Sequence, residues 1–346
     1  MTQKTDLNIT PYFDDFSEDK NFHKVLFRAG RPLQARELTQ SQSILQDQVE
    51  RFGSHFFKEG SIVQGAESNI DMDIYFVKVQ ADNPNNAGDD SAEGYRETFH
   101  GKLLRGKTTG VVAKVITSVA ATSTDSLTLF VKSYKSGTDL AGSFIFGGDE
   151  ELEEVTVTEN TGAIVSASNN NEFKTVTETL TPTGRASVAD ISEGVIFSRG
   201  FFVKVDKQTI ILEKYSGRPS YRVGLQITEE LISSSNDTTL LDNAQGTNNE
   251  NAPGADRLKV SLILTKVSLT ETNNTNFIEL ARVNNGIIEL QINRPIYSHI
   301  ERTLARRTFD SNGDGVISLD EFLAEMEDKQ SFIPKLPEMA PPPKKK

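Results

Sequence analysis

The sequence predicts a mainly β chain with one long N-terminal α-helix, an α+β arrangement of β-barrel or β-sandwich modules ending in a C-terminal helix-loop-helix. Three observations predict it. Residues 32–60, PLQARELTQSQSILQDQVERFGSHFFKEG, are rich in Gln, Leu, Glu and Arg, all good helix formers. Much of the chain from there to residue 292 alternates apolar and polar residues in short runs broken by Gly, Asn and Asp, the pattern of strands and turns. Residues 297–329 return to helical composition on either side of an Asp/Gly-rich loop.

The N-terminal helix is bounded by Pro32, which suits a first helical turn, and by Gly60, which suits a left-handed residue just past the end. Its apolar residues are spaced in heptads. Leu38, Leu45 and Phe52 recur every seven residues, and Ala35, Gln42, Val49 and Phe56 fill the alternate positions. Gln42 is the one polar residue in that seam. Two placements fit the spacing: an amphipathic helix lying on its own β-domain, or a seam between copies of the chain. The preceding arm carries Tyr12, Phe13, Phe16, Phe22, Leu26 and Phe27, too apolar for a disordered tail. It is expected to wrap on the helix or on a neighbouring subunit.

The remaining elements follow in order. Residues 1–60 are the arm and helix. Strands are expected at Ser61 to Val63 and Asp73 to Gln80, then an acidic loop over 81–94. Residues 95–166 hold five short strand candidates (102–104, 110–119, 126–132, 143–146 and 153–158) and are expected as a small inserted barrel or sandwich. The acidic run 149–154, DEELEE, is expected as a solvated turn. Residues 167–193 are polar and linker-like. Strand alternation returns with Phe201, Val203 and Val205, then Ile210 and Leu212, then Val223, Leu225 and Ile227. Asp206-Lys207-Gln208 marks a tight hairpin. Leu258, Val260, Leu262 and Leu264 give the cleanest period-two run, and Ile288, Leu290 and Ile292 a last strand. The Asn-rich loop 233–256 has few apolar residues and is expected to be mobile. Residues 61–94 and 194–292 are therefore expected to form one discontinuous β-domain around the insertion, with 295–330 a helix-loop-helix and 331–346 a Pro/Lys tail.

Composition narrows the function. A net charge of −12 argues against a nucleic-acid surface. With no cysteine there is no disulfide framework and no thiolate chemistry. No apolar run is long enough to span a bilayer, and the N-terminus lacks a secretory h-region, so a chain made in a cytoplasm is expected. His23, His55, His100 and His299 share no ligand spacing. No nucleophile elbow, phosphate loop or dinucleotide fingerprint occurs, so no enzymatic activity is expected.

One motif carries metal chemistry. Residues 310–321, DSNGDGVISLDE, match the EF-hand loop position by position. Asp310, Asn312 and Asp314 supply side-chain oxygens at positions 1, 3 and 5, and Gly315 allows the turn at position 6. Val316 offers its carbonyl at position 7, Ser318 acts at 9 through water, and Glu321 binds bidentately at 12. Calcium is the expected cofactor, at a single hand. An Asp/Gly turn that binds nothing is the alternative.

Four stretches also carry a resemblance. Residues 8–66 (NITPYFDDFSEDKNFHKVLFRAGRPLQARELTQ and onward to SIVQGA), 198–232 (SRGFFVKVDKQTIILEKYSGRPSYRVGLQITEELI), 240–264 (LLDNAQGTNNENAPGADRLKVSLIL) and 299–314 (HIERTLARRTFDSNGD) are similar to an uncharacterised family of virion proteins of contractile-tailed cyanobacterial phages and prophages. The resemblance implies a structural role in the tail or baseplate, docking a neighbouring subunit or tail fibre, with assembly in the host cytoplasm. It implies other virion proteins as partners and a homo-oligomer, a trimer being favoured; the charge and the lack of a long apolar run lead us to expect neither nucleic acid nor membrane as a partner. No catalytic residues come with it. The chain departs from the family pattern at 314–321, where the calcium loop is completed. The alternative from another class is an extracellular calcium-dependent adhesive module using the loop 233–256; a glycan-degrading tail enzyme is a third.

Overall fold

The computed structural model describes residues 5–80, 96–137, 144–158, 163–166 and 175–293. Among them the fold is mainly β, with three antiparallel sheets and one α-helix, α1 (Ala35–Phe56). The chain divides into two units. Among the described residues one comprises 5–61 and Phe197–Phe201, the other those from Ile62 to Ile196 and from Phe202 to Asn293.

In the first unit α1 starts three residues after Pro32. The Glu37 carboxylate accepts the Gln34 N–H at 3.1 Å, satisfying one of the donors a helix N-terminus leaves open. Gly60, with φ of 78°, takes the left-handed conformation expected beyond the helix end. The arm before α1 is fixed by polar contacts. Asp14, buried, accepts from the Ser43 hydroxyl, Asp15 accepts from Gln40 Nε2 at 2.9 Å, and Glu18 pairs with Arg51 at 3.4 Å.

The second unit holds most of the strands. They are β1 (Ser61–Gly65), β2 (Ser68–Val79), β3 (Leu103–Gly106), β4 (Val112–Val119), β5 (Leu127–Lys135), β6 (Glu151–Val157), β7 (Ile164–Ser166) and β8 (Thr175–Val176). They continue as β9 (Thr183–Ile191), β10 (Gly194–Ser198), β11 (Phe201–Val205), β12 (Gln208–Glu213), β13 (Tyr221–Ile232), β14 (Arg257–Ser268), β15 (Phe277–Asn284) and β16 (Ile287–Gln291). β1, β10 and β11 form a three-stranded sheet. A second sheet runs β12-β9-β2-β5-β4-β3-β6-β7, with β8 also on β6. A third runs β14-β13-β15-β16.

In the large sheet β2 is shared. It pairs β9 on one side and β5 on the other, so the strands of 95–166 continue the same sheet. β8 pairs β6 while its neighbour Thr177 bridges Val79 of β2, which brings the chain beyond β6 back to β2. Val77, Val79, Phe99, Leu104, Val115, Leu127, Leu129, Phe146 and Leu152 are packed together as one apolar cluster.

Four expectations need correction. Residues 183–191, expected within a linker, are β9, a strand between β2 and β12 with Ala186, Ser187, Val188, Ala189 and Ile191 buried. The acidic run is no solvated turn: Glu150 is buried, and Glu151, Glu153 and Glu154 of β6 pair with Lys107, Arg105 and Lys102 from and beside β3. Asp206-Lys207 is not a hairpin. β11 pairs β10 and β12 pairs β9, so this link carries the chain from one sheet to another. Residues 144–146 of the expected 143–146 strand are irregular, although Phe146 is buried.

The loop 233–256 folds on itself without an apolar core. Leu241 bridges Pro253, the Asp242 N–H donates to the Ala252 carbonyl at 2.9 Å, and the Gly254 N–H donates to the Leu240 carbonyl at 3.0 Å. Hydrogen bonds supply the order that apolar residues do not.

Candidate assembly surface

α1 is held on one side and exposed on another. The inner face grips the turn between β10 and β11, residues 197–201. Arg199 and Gly200 both have positive φ, 52° and 80°, the two-residue hairpin geometry that matches strand twist. The Glu59 carboxylate, just after α1, accepts the Ser198 hydroxyl at 2.9 Å and the Arg199 N–H at 2.9 and 3.0 Å. Gln46 Nε2 donates to the Gly200 carbonyl at 2.8 Å, and the Gly60 N–H to the Phe197 carbonyl at 2.9 Å. Gly53 lies against the Phe197 ring so closely that a Cβ would stand 2.5 Å from it. Ile44, Asp47 and Gly53 are the buried residues of α1.

The heptad seam lies on the other face. Leu38 is 47 % exposed, Leu45 67 %, Val49 43 % and Phe52 65 %, with Ala35 and Gln42 exposed among them. Of the seven seam positions only Phe56 is partly covered, and its ring meets that of Phe52 at 4.9 Å between centroids. At the N-terminal end of the seam, Leu26, Phe27, Pro32, Leu33 and Leu38 line a groove of about 540 Å³ together with Arg28, Arg31 and Glu37. Phe13, Phe22, Leu26, Phe27 and Leu33 are also exposed. The arm meets α1 through its acidic residues and leaves its large apolar side chains outside.

The positions predicted for metal, Asp310, Asn312, Asp314, Val316, Ser318 and Glu321, lie outside the described residues. Among the described residues no group of three or more His, Cys, Asp or Glu is placed to hold a metal ion. His23 and His55 are exposed, and His100 Nε2 meets Ser118 Oγ at 2.8 Å. No helix of the described residues is long and apolar enough to cross a membrane.

Heptad spacing alone picks out the seam. It does not pick out Phe197, Glu59 or the turn 197–201, which decide which face of α1 is turned inward. The one sequence signal for them is Gly53, a glycine in the last turn of α1.

A family profile described as Domain of unknown function (DUF4815) matches residues 10–84 and 171–333. The chain belongs to this family. The DUF4815 match takes in α1, the turn 197–201 and β9 to β16, while β3 to β7 fall between its two segments. No curated protein and no solved structure matches the chain.

Proposed function

We propose that the chain is a structural subunit of a tailed-bacteriophage virion, a tail or baseplate component that docks a neighbouring subunit or a tail fibre. The observation that carries the reading is the outward seam of α1. A helix fixed to its own chain by one face, with four large apolar residues exposed on the other, is built to be covered. Covering Leu38, Leu45, Val49 and Phe52 would gain about 3–6 kcal/mol before the cost of association. The exposed apolar arm extends the same surface. The resemblance over 8–66 falls on this arm and helix, and the stretch from 198 onward starts at the turn that α1 grips.

In this reading the return of the chain from β6 through β8 to β2 makes a small β-barrel, a module set into the family's own strands. Residues 310–321 form a single EF-hand that takes calcium from Asp310, Asn312, Asp314, Val316, Ser318 and Glu321. The virion is the site of action, reached by assembly in the host cytoplasm.

The test is copurification. Purified tails from a phage that encodes the chain should contain it in fixed stoichiometry, in density that includes α1. Tails that lack it, or a free chain that degrades polysaccharide, would overturn the reading.

A further inference from the structure

We propose that the outward seam of α1 is covered by the same seam of a second copy of the chain, with the helices parallel and in register at Gln42. This deepens the assembly reading by naming the occupant, and it rests on that reading only in taking the seam to be an assembly surface.

The period points to another helix. α1 buries Ile44, Asp47 and Gly53, none of them a seam residue, while the seam repeats every seven residues from Ala35 to Phe56. A repeat of seven keeps its residues on one line only when two helices wind around each other.

Charge points to a like partner. The chain carries a net −12, yet no carboxylate lies in the seam or directly beside it. Thr39, Gln46 and Gly53 flank it on one side, and Ser41, Gln48 and His55 on the other. Along the seam two acidic chains can meet without setting carboxylates together, and the groove at its end offers one carboxylate, Glu37, beside Arg28 and Arg31.

Gln42 sets the direction. A primary amide both donates and accepts, so two of them facing each other satisfy one another. In a parallel pair Gln42 faces Gln42. In an antiparallel pair centred between Leu45 and Gln46 it would face Val49, leaving a buried amide without a partner, which is costly.

Area brings in the arm. A helix of 22 residues is about 33 Å long, so a strip about 10 Å wide offers roughly 330 Å² per copy. Stable interfaces take about 800 Å² per partner. The groove of Leu26, Phe27 and Leu33, which meets the seam at Leu38, extends the strip and belongs to the interface.

The test uses the full chain in solution. Its mass by light scattering or sedimentation should be a whole multiple, two or more, of 38.2 kDa. Leu45→Asp, at an exposed position, should keep the wild-type helical circular dichroism and fall to the mass of one chain. Because the chain has no cysteine, Ala35→Cys reports direction. Parallel helices bring the two positions within disulfide reach, and oxidation should link the copies. An antiparallel pair would hold them about 31 Å apart. A monomeric wild type, an undiminished mass in Leu45→Asp, or linkage confined to the Ala35→Cys/Phe56→Cys double variant would overturn the proposal. None of these readouts involves the virion. A monomer that still enters tails would remove the second copy and leave the assembly reading in place.

Discussion

Gly53 and Phe197 are in direct contact, the Phe197 Cε2 atom lying 2.5 Å from where a Gly53 Cβ would be. This contact seats α1 on the turn 197–201 beside a seam whose Leu38, Leu45, Val49 and Phe52 stay exposed. Gly53→Ala would gain about 1 kcal/mol of helix propensity. It would also push the ring off its position at a cost of about 1–3 kcal/mol. We expect net destabilisation of about 1 kcal/mol, read as a lower urea midpoint for loss of helical signal. A more stable variant would show that the ring yields freely and that the contact does not seat the helix.

Glu150 is a buried carboxylate with four hydrogen-bond donors. Its Oε1 accepts from the Thr108 N–H at 2.9 Å, the Thr109 N–H at 2.6 Å and the Thr109 hydroxyl at 2.9 Å; its Oε2 accepts from the Gly147 N–H at 2.7 Å. Glu150→Gln replaces one oxygen by an amide NH2 that faces donors. The expected loss is about 2–3 kcal/mol, measured as a denaturant midpoint with unchanged slope. A loss below about 0.5 kcal/mol, the size of an ordinary surface substitution, would mean that the carboxylate does not organise this turn.

Asp125 gives a pH signature. The Tyr215 hydroxyl donates to it; burial opposes, and Lys78 Nζ at 3.0 Å and Lys214 Nζ at 3.6 Å add to the hydroxyl, so its carboxyl is held below the ordinary value. On acidification the unfolded chain therefore takes up this proton before the folded one does. The stabilisation is complete above about pH 4 and is lost as pH falls through the lower folded value. Wild type should exceed Asp125→Asn by about 1 kcal/mol at neutral pH, and the gap should close below about pH 4. A gap that stays constant or widens down to pH 3 would contradict this.

Calcium should bind the full chain at one site with a dissociation constant on the order of 10⁻⁴ M, as in extracellular calcium modules. Glu321→Gln removes the bidentate ligand and should abolish the heat of binding in calorimetry. At about 100 times the dissociation constant, calcium would stabilise the folded hand by about 2.7 kcal/mol. Equal heats in wild type and variant, or none in either at millimolar calcium, would leave 310–321 a simple turn.

How far the sequence carried the fold depends on side-chain bulk. α1 and β14 were legible because Leu38, Leu45 and Phe52, or Leu258, Val260, Leu262 and Leu264, repeat at the period of their element. β9 was not, although it is flanked on both sides in the large sheet. Its sequence, TGRASVADI, uses small residues because a neighbour supplies the bulk: the Phe76 ring of β2 lies over Gly184. Glycine and alanine with polar neighbours look like a linker when that neighbour is out of view. Asp206-Lys207 has hairpin composition, but β11 already has its partner through the Arg199-Gly200 turn. For the candidate surface, heptad spacing gave the stripe but not its direction. Direction depends on Gly53, Phe197 and Glu59, two of them contacts across more than a hundred residues of sequence. Local periodicity carries no trace of such contacts.

The central claim is that the outward seam of α1 is where this chain joins an assembly. Incorporation of Leu45→Asp into tails, in an infection that supplies only the variant chain, tests it most directly. The account predicts that the variant accumulates in soluble form with wild-type helical content while its amount per purified tail falls at least about tenfold, the equivalent of about 1.4 kcal/mol. Wild-type occupancy of the variant in intact tails would contradict it.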